Sequence, residues 1–192
     1  MNEKKICFII HNDNKMSYSD NVEYIKALNV PRGMEAECLT VESDQSKFEA
    51  YNEGMYASDA KYKVYIGYNT YIINKNIIYD ILNIFENDKQ AAMIGIVGRK
   101  GVSTMESEAV MYGKIMQDSI TSGIKVKEFH NVEKTTEIVN FMNDILIATS
   151  QDMVWGEAIC AMTDGYLYMT DERKMVVAKQ VDPWCFKETI LF

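Results

Sequence analysis

Residues 61–85, KYKVYIGYNTYIINKNIIYDILNIF, constrain the fold more than any other stretch of the chain. Val64, Tyr65, Ile66, Tyr68, Tyr71, Ile72 and Ile73 are residue types that suit a pleated surface, so the stretch opens as a strand. It then changes period. Asn74 is placed to cap a helix, and Ile77, Ile78, Ile81, Leu82, Ile84 and Phe85 fall on one helical face. A strand feeding a helix is half of a βαβ unit. In an open α/β sheet a ligand sits beyond the carboxyl ends of such strands, and here that end is Gly67-Tyr68-Asn69.

The chain on either side repeats the pattern. Ile6-Cys7-Phe8-Ile9-Ile10 is an apolar run consistent with a buried parallel strand, broken by His11-Asn12-Asp13-Asn14. Asp20, with Glu23 three residues on, marks a helix start whose apolar face is Val22, Ile25 and Leu28, and Pro31-Arg32-Gly33 ends it. Residues 35–41 read as a second strand closing on Glu42-Ser43-Asp44, and Phe48, Tyr51, Met55 and Tyr56 follow at helical spacing. Residues 92–97 are another continuous apolar strand. The order β-α-β-α-β-α-β predicts an α/β domain, a mostly parallel sheet flanked by helices, spanning residues 1–192 as one unit. From Gly98 to Lys134 glycines punctuate polar stretches and no element can be placed. Strand character returns over residues 136–149 and again over 174–178.

A net charge of −8 argues against nucleic acid as a partner, because phosphate-backbone binding needs a basic surface. A diphosphate is not excluded, since a helix N-terminus and a few local cations can hold one. No apolar run is long enough to insert in a membrane or to act as a signal segment, so the expected location is cytoplasmic. Cys7, Cys38, Cys160 and Cys185 are widely separated and only two histidines occur, which leaves no zinc pattern.

Tyr51-Asn52-Glu53-Gly54-Met55, followed by residues 58–66 (SDAKYKVYI), resembles the signature of a bacterial glycosyltransferase-like family, one of the family-2 (GT-A) nucleotide-sugar transferases. The family reads roughly YNEAM, then AKYKVYLHQDVFI. The resemblance continues at residues 93–98 and 145–149, at Trp155 and at Pro183-Trp184-Cys185, so it spans nearly the whole chain. It implies a GT-A-like fold, a nucleotide-sugar ligand and a place in surface-polysaccharide biosynthesis.

The departures from that pattern fall on the residues that would carry chemistry. In GT-A enzymes an acidic corner holds Mn²⁺ or Mg²⁺, which bridges the donor's diphosphate and neutralises the leaving nucleotide. The family's His-Gln-Asp is Gly67-Tyr68-Asn69 here, and no Asp-x-Asp occurs anywhere. Leu167 and Thr170 stand where the family has a His and an acid, and Lys187-Glu188 stands for its His-Asp. No metal site is therefore expected, and no cofactor, unless a different carboxylate has taken over Mn²⁺ or Mg²⁺. Asp144, Glu157 and Asp164 are the remaining candidate catalytic acids, each read more readily as a solvated or structural carboxylate than as a catalytic base. His11, Asn12, Glu42, Asn52, Tyr68 and Asn69 are the candidate substrate contacts; Asn52 could instead cap its helix. Two functions follow as expectations: a transferase using a nucleotide-sugar, or an inactive descendant kept as a binding or assembly partner, alone or as a homo-oligomer.

Overall fold

The structure is a computed structural model that describes residues 1–12, 19–42, 46–67, 69–101, 108–119 and 123–188. The first half of the chain forms β1 (Asn2–Asn12), α1 (Ser19–Lys26), β2 (Glu35–Glu42), α2 (Lys47–Ala57), β3 (Ala60–Gly67), β4 (Thr70–Ile72), α3 (Ile77–Asn87) and β5 (Ala91–Gly95). The second half is almost entirely strand: β6 (Val97–Lys100), β7 (Val110–Gln117), β8 (Lys125–Glu128), β9 (Thr136–Val139), β10 (Phe141–Met142) and β11 (Leu146–Thr149). After these come β12 (Ile159–Ala161), β13 (Leu167–Met169), β14 (Lys174–Ala178) and β15 (Cys185–Lys187).

A seven-stranded sheet in the order β2-β1-β3-β11-β5-β14-β9 is the centre of the molecule. β1 pairs in parallel with β2 and β3, and β14 with β5, but β11 runs antiparallel to both its neighbours and β9 antiparallel to β14. The expected mostly parallel sheet is thus a mixed one. The cause lies in the connections. β10 pairs with β6, which continues from the carboxyl end of β5, so the chain already stands at that edge when it leaves Met142. The short link to Leu146 cannot make the long crossover that a parallel strand requires, and β11 enters the sheet head-down.

Residues 98–134, unreadable from sequence, supply β6, β7 and β8 of a second sheet, ordered β12-β13-β10-β6-β7-β15-β4 with β8 on β7. Two strands continue from one sheet into the other. The run 92–97 is not one strand: it breaks at Ile96, where β5 ends and β6 begins. Likewise Tyr71 and Ile72, expected to extend β3, form β4 in the second sheet. The first helix also stops at Lys26, ahead of Pro31.

Alternation along the buried strands divides the core in two. Ile6, Phe8 and Ile10 of β1 pack with Val64 and Ile66 of β3 beneath Ile78, Ile81 and Phe85 of α3. Cys7 and Ile9 face the other way, with Tyr65, Met93 and Ile147, beneath Tyr51 and Met55 of α2. α2 begins with a capping box in which Ser46 and Glu49 satisfy each other's backbone N–H groups. α3 starts later than expected. Its N-cap is Asn76, because Asn74 spends its carboxamide on the Asn76 N–H (2.9 Å) and on Asp80 (2.8 Å).

Lys63 is the exception on the α2 side of β3. Its side chain is fully buried, and its ammonium donates to Asp152 at 2.5 Å and to the Ala60 carbonyl at 2.6 Å. The cysteines are free thiols. Burial pushes Cys7 up to about 12 and Cys38 up to about 11, so both behave as protonated core groups. Among the described residues no helix is long and apolar enough to cross a membrane.

Candidate functional site

Parallel pairing brings the ends of the first three strands together. Asn12 lies opposite Glu42, and His11 lies opposite Gly67, at one edge of the sheet. Because β11 runs the other way, with Leu146 opposite Ile66, Asp144 enters at that same edge. So does the first turn of α2, which follows β2 directly. Lys47 in that turn donates to the Asp144 carboxylate at 2.7 Å and to its carbonyl at 3.4 Å. The edge therefore gathers His11, Asn12, Glu42 and Asp144 of the sequence candidates, and adds Lys47, which the sequence did not single out. Tyr68 lies outside the described residues, as do Ser43 and Asp44 of the Glu42 turn.

The side chains at this edge differ in environment. His11 and Asn12 are buried, while Glu42 is exposed. The His11 ring meets Tyr51 edge-on at 6.2 Å. Asn12 Oδ1 is a buried acceptor with no hydrogen-bond partner among the described residues. Tyr51 is packed against Tyr65 (5.1 Å) and Trp155 (4.8 Å), with the Lys47 ammonium 5.5 Å above its ring. Burial, and then the nearby Asp144 charge, hold the Tyr51 hydroxyl well above its ordinary range, so it stays neutral.

Asn52 is committed elsewhere. Its Nδ2 donates to the Trp155 carbonyl at 2.9 Å and its Oδ1 accepts the Trp155 N–H at 2.8 Å, which ties α2 to the loop ahead of β12. Asn52→Ala should cost roughly 1–3 kcal/mol, because it leaves two part-buried backbone groups unsatisfied. Urea unfolding reads this directly, and a loss below about 0.5 kcal/mol would return Asn52 to the list of ligand contacts.

The Asn69 corner is bound to the last strand. β15 pairs antiparallel with β4, and beyond it the Glu188 N–H donates to the Asn69 carbonyl at 2.9 Å. Asn69 Nδ2 donates back to the Glu188 carbonyl at 3.1 Å, and the Tyr71 hydroxyl donates to the Glu188 carboxylate at 2.9 Å. Burial and then this carboxylate push Tyr71 up to about 12. An acid thus stands beside the corner from which the sequence had lost one. The matched Pro183-Trp184-Cys185 segment was the signal that could have found it.

Asp164 and Glu157 are not part of this edge's bonding. Asp164 pairs with Arg99 at 2.8 Å, and that guanidinium lies over the rings of Tyr166 (4.3 Å) and Phe141 (4.8 Å). Such an ion pair, with its guanidinium over two rings, fixes the turn before β13 onto the second sheet. Glu157 is exposed, in the turn between Val154 and Ile159. Among the described residues no group of three or more His, Cys, Asp and Glu side chains could hold a metal ion. Among the described residues the corner offers the neutral Asn69 amide with the Glu188 carboxylate beside it, while Asp144 is already paired with Lys47.

Comparison with known proteins extends these observations. A family model described as a glycosyltransferase-like family matches residues 7–191. Comparison with curated proteins gives no match. Among solved structures, Staphylococcus aureus TarS 1–349 in complex with UDP-GlcNAc aligns with TM-score 0.56 at 8% identity, covering 98% of this chain and 59% of that one. The same TarS fragment with UDP aligns with TM-score 0.54, also at 8% identity, over 97% of this chain and 60% of that one. A197 from STIV aligns with TM-score 0.53 at 8% identity, over 97% of this chain and 95% of that one. The chain thus spans about 59% of the TarS fragment's length. At such identity the likeness speaks for the fold, which is α/β and GT-A-like as the sequence led one to expect.

Proposed function

Since the chain belongs to this glycosyltransferase-like family, we propose that it binds a nucleotide-sugar at the carboxyl edge of the seven-stranded sheet without a divalent cation, and that its transfer chemistry has been lost. One observation carries the proposal: Asp144 is paired with Lys47 and Asp164 with Arg99. Each carboxylate already has one of the chain's own cations beside it, which competes with a divalent ion for it. Such a protein would serve surface-polysaccharide assembly as a binding partner.

Calorimetry with UDP-GlcNAc, the ligand in the TarS complex, tests this in Mn²⁺ and in EDTA. Weak binding is expected, with a Kd that EDTA changes by less than about twofold, since an amide oxygen adds little to Mn²⁺ affinity. UDP release should stay at the uncatalysed level. The second reading, a working transferase, draws on Glu188, whose carboxylate lies beside Asn69. Tight binding abolished by EDTA, or UDP released with turnover, would establish it instead.

A further inference from the structure

Resting on that reading, the geometry points to Lys47 as the group that meets the donor's diphosphate where a divalent cation would otherwise stand, with Asp144 as its positioning residue. Lys47 lies in the first turn of α2, at the edge where β1, β2 and β3 end. Its ammonium has three N–H donors, and Asp144 takes two of them, through one carboxylate oxygen at 2.7 Å and its carbonyl at 3.4 Å. That leaves capacity for an anion.

The surroundings favour one. Below Lys47 lies the ring of Tyr51, fully buried and neutral, so no second anion competes from that side. Above it the side chain keeps 29% of its surface open, so a ligand from solvent can reach it. The first-turn N–H groups of α2 add a partial positive charge at the same place. Asn12 ends β1 at the same edge but, one residue on from His11, on the opposite face of the sheet from Lys47; its buried Oδ1 has no partner among the described residues and could meet only a ligand that reaches over the strand end. An ammonium also needs no carboxylate cluster to hold it, which matches a chain whose described residues offer none to a metal. Asp144 holds the flexible lysine in place before the ligand arrives, and also competes with the phosphate for its charge.

That double role gives an opposite sign for the two partners. Calorimetry is run in EDTA at low salt, with UDP and with inorganic pyrophosphate as separate probes. Lys47→Met should weaken both by about tenfold or more, the loss expected for one charge-assisted hydrogen bond to phosphate. Lys47→Arg should stay within about threefold of wild type, because the charge is kept, and Asp144→Asn should bind as tightly or more tightly. The salt dependence of UDP binding should flatten in Lys47→Met but not in Asp144→Asn. Should Lys47→Met not fold, reductive methylation of the wild type reads the same contact: pyrophosphate must shield Lys47.

Wild type and Lys47→Met binding UDP alike would remove Lys47 from the site and leave the nucleotide reading standing. Pyrophosphate bound through Lys47 with no affinity for UDP or UDP-GlcNAc would keep the anion site and remove the nucleotide reading. Wild type binding neither probe removes both. Binding that needs Mn²⁺ and is lost in Asp144→Asn would make Asp144 a metal ligand and overturn the assignment.

Discussion

Gly113→Ala should be among the most damaging single changes to this chain, lowering stability by about 3–5 kcal/mol and the melting temperature by roughly 10 °C. Gly113 in β7 lies opposite Val97 with φ +98°, and a Cβ built on it would stand 2.0 Å from the Ile96 carbonyl oxygen. Two costs add there. A left-handed backbone costs an alanine about 1–2 kcal/mol, and the collision with backbone cannot be relieved by turning a side chain. The collision falls where β5 becomes β6, so relief would have to move the strand that both sheets share. Gly33→Ala is the control: φ is +83° there, but nothing lies within 4 Å of the added carbon. It should show the backbone cost alone. Equal losses in calorimetric melts of the two variants would mean that the contact with Ile96 is not what fixes Gly113.

Ile81→Ala is the second large effect. Ile81 is fully buried on α3, in the cluster that joins this helix to β1, β3 and β5. Truncation removes its transfer free energy and leaves a cavity between a helix and a sheet that cannot both move to fill it. The expected loss is about 2–5 kcal/mol in urea unfolding. A loss below about 1 kcal/mol would show that α3 is not seated on the sheet by this face.

That face was legible in the sequence because it is local: six apolar side chains at helical spacing need no knowledge of what they touch. β1, β3 and β14 were legible for the same reason, each holding a short apolar run ended by polar residues, and β2, more polar, was legible from Cys38 to Val41. Strand direction is not written in hydropathy. Nothing in Leu146-Ile147-Ala148-Thr149 says that β11 points the opposite way from β3; the short link from β10 decides it. The second sheet was hidden because its strands are short and partly wet. β8, Lys125-Val126-Lys127-Glu128, is exposed at every position, so only its pairing with β7 makes it a strand.

The site divides along the same line. That polar residues end three strands at one edge follows from the pattern and the carboxyl-end rule. How each side chain is committed does not. Asn69 and Glu188 are 119 residues apart, and Lys47 and Asp144 are 97 apart. No local pattern could have paired them, and those pairings decide what the edge offers a ligand.

Lys63 sets an order on how this molecule is put together. Its ammonium is sealed inside the sheet, and the carboxylate that answers it, Asp152, comes 89 residues later in the chain. During synthesis β3 emerges with a charge in its middle that has no partner yet, and an uncompensated buried charge is among the costliest things a core can hold. The first half of the chain, for all its regular βαβ pattern, would close around β3 by itself only at that cost. Burying that lysine before Asp152 is made would leave its charge without a carboxylate, a cost that favours closing the two halves of the chain together.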